Sequence, residues 1–250
     1  MSDVIENSKK LRLGYLSRNY ESDLKEAIHT KQSCDDFVDI LLKKELRRRN
    51  ESAVQNRIRG AKFPIKKYLE DFDFTKYDAN IQAELRSLPD LDFLGRNENV
   101  ILIGTPGSGK THYAIGIGIA ACLAGKKVLF LSVPNLIIEL REALNEGSLS
   151  YYRKRFEQYD LVILDELGYV SFDKEGCEML FNLISNRNDK GSIMITTNLA
   201  FDRWEEIFKD AMLTGALVDR LAYRAHVLDM SRELSYRYEE TISWRNKQKA

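Results

Sequence analysis

Cysteine is scarce: three residues in 250, at positions 34, 122 and 177, far apart and without a C-x-x-C pair. That excludes a disulfide framework and an obvious zinc site, and fits a reducing compartment. Long apolar runs are missing as well. No stretch approaches the ~18 residues a membrane span needs, and the first thirty residues are charged, without the apolar segment of a signal peptide. The protein is therefore expected in the cytoplasm, with no membrane partner. Net charge is absent, with 38 Lys and Arg against 38 Asp and Glu, so overall composition argues for neither nucleic acid nor a membrane surface. Internal repeats and low-complexity tracts are absent too. Proline does not occur between Lys9 and Gly60, which leaves that stretch free to be helical.

The charge that is present is unevenly placed. Residues 1–77 hold 17 basic side chains against 13 acidic ones, and the remainder holds 21 against 25. Within 43–67, ten basic residues meet only Glu45 and Glu51. Lys43 and Arg47, like Lys44 and Arg48, stand four apart, so a helix would carry them as a basic face opposite Phe37, Ile40 and Leu41. Arg57, Arg59, Lys62, Lys66 and Lys67 continue the charge. Such a face suits the phosphate backbone of double-stranded DNA. No base-reading motif accompanies it, so the contacts would position rather than specify. A charge run is also the ordinary solvated side of a helix; the excess of eight positive charges in this segment favours binding. Apolar residues recur at helical spacing, first Leu11, Leu13, Leu16, Leu24 and Ile28, then Phe37, Ile40, Leu41, Val54 and Ile58. Two or three helices are expected, one capped by Ser33 with Asp35 and Asp36 in its first turn. Phe63-Pro64 ends the pattern. This gives a helical N-terminal domain over 1–70 that binds DNA or a partner, and a connector over 71–98 with aromatic residues at 72, 74 and 77.

The rest of the chain is organised around Gly104–Thr111, GTPGSGKT, directly after the apolar run Val100–Ile103. The string fits G-x-x-x-x-G-K-[ST] at every fixed position, between a strand and a helix. Gly104, Gly107 and Gly109 let the chain curl, and Thr105, Pro106 and Ser108 complete a loop whose N–H groups turn toward phosphate. Lys110 would reach the β- and γ-phosphates of ATP and Thr111 would ligate Mg²⁺, with His112 next on the helix. That helix presents its positive end to the polyanion. Downstream, strands are expected at Val128–Ser132, Leu161–Leu164, Ile193–Thr196 and Val227–Met230. Helices are expected at His112–Ala124, Asn135–Glu146, Tyr151–Gln158, Lys174–Asn188, Asp202–Phe208 and Ala211–Tyr223. The alternation predicts an α/β fold with a parallel five-stranded sheet between helices over 99–250. Gly116 and Gly118, inside the first of these helices, mark close packing on the sheet.

A phosphate loop binds; hydrolysis needs more. Leu161–Leu164 is apolar throughout and ends in Asp165-Glu166, at the strand end where parallel sheets hold ligands. Asp165 would share Mg²⁺ with Thr111. Glu166 could orient and deprotonate the attacking water. The next strand leads into Thr197-Asn198, where Asn198, or else Thr197, could sense the γ-phosphate. Arg220, Arg224 and Arg237 are candidates for stabilising transition-state charge, although a surface ion pair would explain each of them equally.

The order of these parts resembles the AAA+ branch of P-loop ATPases, and in particular the IstB-like ATP-binding helpers of insertion-sequence transposition. The supporting strings are Ala61–Lys66, Glu70–Phe74, Asn99-Val100 leading to Gly104–His112, Leu164–Tyr169, Thr197-Asn198, Asp219–Leu221 with His226, and Ser235–Arg237. The resemblance implies an ATPase that assembles on DNA as a homo-oligomer and delivers or activates a transposase. It assigns Arg220 as a finger acting on a neighbouring subunit's ATP and Arg237 as a sensor within its own subunit. Two departures stand out: Glu233 replaces a usual glycine, and Ala222-Tyr223-Arg224 replaces a histidine-rich stretch, leaving open whether Arg224 assists Arg220. A replicative-helicase loader of the DnaC type would share the ATPase body, but the AKFP-to-EDFDF link follows the transposition helpers. A small-molecule kinase would need an acceptor pocket and lid for which the sequence offers no candidate.

Overall fold

The chain forms two compact units, residues 1–56 and 57–250. They are seen in a computed structural model that describes residues 3–169, 172–187, 190–232, 235 and 244.

The first unit holds α1 (Asp3–Lys10), α2 (Leu16–His29) and most of α3 (Cys34–Gly60), within which the two units part. Ser33 opens α3 as expected, its Oγ accepting the Asp36 N–H at 3.1 Å. With no proline to stop it, α3 runs for 27 residues. Leu41 and Ala27 are buried here, and so is Glu45. The Glu45 carboxylate accepts the N–H groups of Gly14 (3.1 Å) and Tyr15 (2.6 Å), donors just ahead of α2 that have no intrahelical partner. Arg49 Nε adds a third bond at 3.2 Å. Burial would raise the Glu45 pKa; the Tyr15, Arg49, Leu16 and Gly14 donors outweigh it and hold the carboxyl below its ordinary value.

In the second unit, residues 61–98 are built onto the sheet's own unit rather than strung between elements. Ala61 O accepts the Phe130 N–H at 2.8 Å, and Phe63 meets Phe130 edge-on with centroids 6.0 Å apart. Single 3-10 turns at Leu69–Asp71 and Phe74–Lys76 lead to α4 (Ala79–Ser87), capped by Asp78, and α5 (Asp92–Gly95). Then follow β1 (Asn99–Ile103), α6 (Lys110–Leu123), β2 (Val128–Ser132), α7 (Val133–Asn145), α8 (Leu149–Phe156) and β3 (Leu161–Leu167). The remainder is α9 (Lys174–Ser185), β4 (Ser192–Thr197), α10 (Glu205–Phe208), α11 (Ala211–Ala222) and β5 (Ala225–Asp229).

The five strands are all parallel, in the order β2-β3-β4-β1-β5. Alternate residues of the strands serve opposite faces. Ile101, Leu129, Leu131, Val162, Leu164, Ile193 and Ile195 enter one core with residues of α7, α9 and α11. Ile163 points the other way, toward α6, where a Cβ on Gly118 would come within 2.9 Å of it and within 2.7 Å of Phe63. Gly116 is equally constrained, by Leu69 at 2.7 Å. The glycines do mark close packing, and the connector shares it with the sheet. β3 is longer than its apolar run because a register shift between Leu164 and Leu167 lets pairing resume beyond the acidic residues. Among the described residues no helix is long and apolar enough to cross a membrane.

Candidate functional site

β1 stops where its neighbours grip the chain. Gly104 N–H donates to Thr197 O at 3.1 Å, and Met230 N–H donates to Ile103 O at 2.7 Å. Gly109 then turns with φ 98° into α6, a left-handed conformation that suits glycine. A Cβ there would also press on Tyr77 Oη at 2.8 Å and Phe72 at 3.1 Å. Lys110 is buried, its Nζ donating to Gly104 O (2.7 Å) and Thr105 O (2.9 Å). The ammonium thus sits inside the curl of the loop, as the motif requires. His112 Nε2 donates to Tyr68 O at 2.9 Å.

With β4 lying between β1 and β3, the acidic strand end stands one strand away from the phosphate loop. Thr111 Oγ1 donates to Asp165 Oδ1 at 2.9 Å, and Thr196 Oγ1 donates to the same oxygen at 2.5 Å. The Glu166 N–H completes the chain by donating to Thr196 Oγ1 at 3.1 Å. Asp165 is buried, and burial pushes its pKa above the ordinary carboxylate value against the pull of both hydroxyls and the Lys110 charge. Glu166 sits in the bulge with φ 65°, unusual for a residue with a side chain. The bulge sends two adjacent carboxylates to different environments, Asp165 inward and Glu166 into the open.

A cavity of about 510 Å³ opens beside the loop, a size that suits a nucleotide. Lys110, Thr111, Glu166 and Thr196 line one part; Ile65, Phe72, Tyr77 and Ile115 supply an apolar wall. Phe72 and Tyr77 stack with rings 5.7 Å apart and 9° from parallel, and the Tyr77 hydroxyl donates to Ser108 O. These connector residues, like Thr196, were missed as site residues. The aromatic cluster was visible in the sequence, but its position over the loop is a tertiary fact.

The other candidates divide. Asn198 is half-buried with its Oδ1 near Gly168, while Thr197 Oγ1 accepts the Leu199 N–H at 3.1 Å and serves the turn. Ser235 lies against Gly107; Glu233 and Arg237 fall outside the described residues. Arg220 ends α11, which feeds β5 at Ala225, and Ala225 pairs with Asn99 at the start of β1. It therefore belongs to the opposite end of the strands from its own phosphate loop, five residues or ~17 Å of strand away. There it donates to Ser185 Oγ at 2.8 Å and lies 4.6 Å over the Phe181 ring. Arg224 shares a small cleft with it. Buried Arg187, unremarked in the sequence, lines the same cleft and donates to Phe156 O at 2.8 Å and Ser192 O at 3.3 Å.

The basic residues of 43–67 do not form one exposed face. Lys43 pairs with Asp39 (2.6 Å) and Arg47 with Glu51 (2.9 Å) on the exposed side. Lys44 turns inward to Asp23 at 3.0 Å, and the Arg48 guanidinium covers Gly14. The separation of four residues was right, but only tertiary packing brings Asp23 into range. Arg57 Nε donates to Cys122 O at 2.9 Å and Lys62 approaches Glu139 at 3.7 Å. Lys67 lines the cavity beside the phosphate loop, Lys66 is exposed, and Arg59 belongs to the same stretch of the second unit.

The chain matches the model of the IstB-like ATP binding protein family over residues 6–243. It belongs to that family. An ATP-binding protein of insertion sequence IS21 from Pseudomonas aeruginosa is 36% identical over 92% of this chain and 87% of its own length. One of insertion sequence IS5376 from Geobacillus stearothermophilus is 32% identical over 98% of both. Among solved structures, AMPPCP-bound DnaA from Aquifex aeolicus superposes with a TM-score of 0.59 at 16% identity, covering 75% of this chain and 56% of that one. The DnaC helicase loader gives 0.56 at 18% identity, over 65% and 95%. These two likenesses establish the AAA+ P-loop fold. The family is one of ATP-binding proteins, and the cavity beside Lys110 is lined by the phosphate loop.

Proposed function

We propose that this IstB-like chain is an ATPase that assembles on duplex DNA and assists a transposase in the cytoplasm. The observation carrying the catalytic part is the hydrogen-bonded array Thr111–Asp165–Thr196, set against the phosphate loop with the exposed Glu166 at its edge. A threonine hydroxyl and an aspartate carboxylate sharing one contact are hard oxygen donors that fit Mg²⁺, and Thr111 and Asp165 would hold it. When bound, Mg²⁺ supplies neutralisation of charge on the β- and γ-phosphates. Thr196 keeps the Asp165 oxygen turned toward Thr111, Lys110 binds the phosphates, and Glu166 accepts a proton from the attacking water. Asn198 orients that water or senses the γ-phosphate.

Arg220 stands at the far end of the strands from its own loop. It serves a site completed between subunits, with Arg224 beside it and Arg237 acting within its own subunit. ATP would then join subunits as well as fuel them. The IS21 and IS5376 relatives support insertion-sequence transposition as the setting, and with it DNA and a transposase as partners. The N-terminal unit is proposed to meet DNA or the transposase.

Light scattering with a non-hydrolysable ATP analogue and duplex DNA tests assembly. A large species that needs both ligands is expected, and a monomer under every condition overturns the shared site. Glu166→Gln tests the chemistry: ATP affinity is kept while turnover falls by roughly 10²–10⁴. Near-normal turnover removes Glu166 from the mechanism.

A further inference from the structure

Basic side chains are useful to a phosphate backbone when no carboxylate already holds them. In the segment richest in positive charge, Lys43, Lys44, Arg47, Arg49 and Lys62 each have an acidic partner. α8 is different. Its sequence, LSYYRKRF, buries Phe156 in the sheet's core and rests Leu149 and Tyr152 against it. Tyr151, Lys154 and Arg155 follow the spacing i, i+3, i+4 and are all exposed, Tyr151 by 71%. Among the described residues Arg153, Lys154 and Arg155 make no ion pair. Two carboxylates close to α8 are engaged elsewhere: Glu139 accepts the Tyr152 hydroxyl at 2.9 Å and meets Lys62, and Glu157 pairs with Lys190 at 3.0 Å.

We infer that the outer side of α8, with Lys154 and Arg155 as phosphate contacts and Tyr151 as a hydroxyl donor beside them, is the surface that grips duplex DNA. The inference rests on the DNA-binding part of the proposed function and places it on the ATPase unit. Lys154 and Arg155 are adjacent on a helix packed on the sheet, Arg155 at the cleft it lines with Tyr152 and Glu139, so their spacing is fixed and can follow a backbone. Tyrosine hydroxyls commonly donate to phosphate oxygens. No base-reading side chain accompanies them, so the grip is independent of sequence.

The test is fluorescence anisotropy of a labelled duplex with the full chain and a non-hydrolysable ATP analogue, from about 50 to 200 mM salt. For Lys154→Gln with Arg155→Gln, affinity is expected to fall about tenfold or more. The slope of log K against log salt should shrink by about 1.8, two phosphates at ~0.9 each. Lys43→Gln with Arg47→Gln should change affinity less than about twofold, since those side chains are already paired. Affinity for the ATP analogue reports folding of both variants. An α8 variant with wild-type affinity and slope overturns the inference while leaving DNA binding intact. So does an equal loss in the α3 variant. A wild-type chain that binds no duplex overturns the DNA reading itself, and this one with it.

Discussion

Glu45 in the helical unit and Asp165 in the unit with the phosphate loop are both buried carboxylates, and the two are treated in opposite ways. Glu45 in the helical unit is surrounded by backbone N–H donors and Arg49, and its pKa is held down despite burial. Asp165 in the unit with the phosphate loop receives two hydroxyls, and burial wins, pushing its pKa up. The first is a charge the fold satisfies in order to tie a turn to a helix. The second is a charge the fold tolerates at a cost, because a cation at that oxygen can satisfy it later. A buried acid by itself announces neither role; the donors around it do.

Removing each charge separates the two cases. The largest effect is expected for Asp165→Asn, which should lower ATP turnover at least ~100-fold, since it removes a carboxylate proposed to hold Mg²⁺ at the reacting phosphates. The same change should raise the melting temperature without nucleotide by about 2–4 °C, as for ~1 kcal/mol regained. A fall in melting temperature would show that the Asp165 charge is already satisfied. Thr196→Val removes the shorter of the two hydroxyl bonds and should cost roughly tenfold in turnover, about the worth of one charge-assisted hydrogen bond. Unchanged kinetics would leave Thr111 alone responsible for the Asp165 orientation.

Glu45→Gln should behave in the reverse sense from Asp165→Asn. Stability, read from the urea midpoint, should fall by about 1–2 kcal/mol, with ATP affinity unmoved. Its pH dependence follows from the lowered pKa. The Glu45 contribution is present above the ordinary carboxylate value and lost as pH falls through the folded value. Asp165 runs oppositely: its ionisation costs stability as pH rises through the ordinary range. The difference between wild type and Glu45→Gln should therefore shrink in acid, and the advantage of Asp165→Asn should disappear there. The smallest effect belongs to Lys43→Gln, whose exposed pair with Asp39 should leave the urea midpoint unchanged within error.

Much of the unit with the phosphate loop was legible in advance because local signals and the fold agree. Val128–Ser132 is an apolar stretch ending in Ser132 and is β2 without a residue's difference. The helices expected at Asn135–Glu146 and Tyr151–Gln158 begin two residues earlier in the structure, α7 starting at Val133-Pro134, where proline suits a first turn. β3 outran its apolar run because a bulge cannot be read from hydrophobicity. The basic residues divide for a related reason: Lys43, Lys44, Arg47 and Arg48 have helical spacing, but that spacing says nothing of Asp23, twenty-one residues before Lys44, to which Lys44 turns.

The sequence by itself determined the parallel sheet, the phosphate loop and the acidic strand end. Each is a contiguous string whose chemistry depends on neighbours a few residues away. Tertiary structure alone decided that Thr196 touches Asp165, and that Phe72 and Tyr77 wall the cavity beside the phosphate loop. It also decided that Arg220 stands at the far end of the strands from its own loop, and that Lys43, Lys44, Arg47 and Arg49 of α3 meet carboxylates while, among the described residues, the cations of α8 form no ion pair. All of these are matters of strand order and of which distant side chains meet, and hydrogen bonds and ion pairs act over a few ångströms of space whatever the separation along the chain.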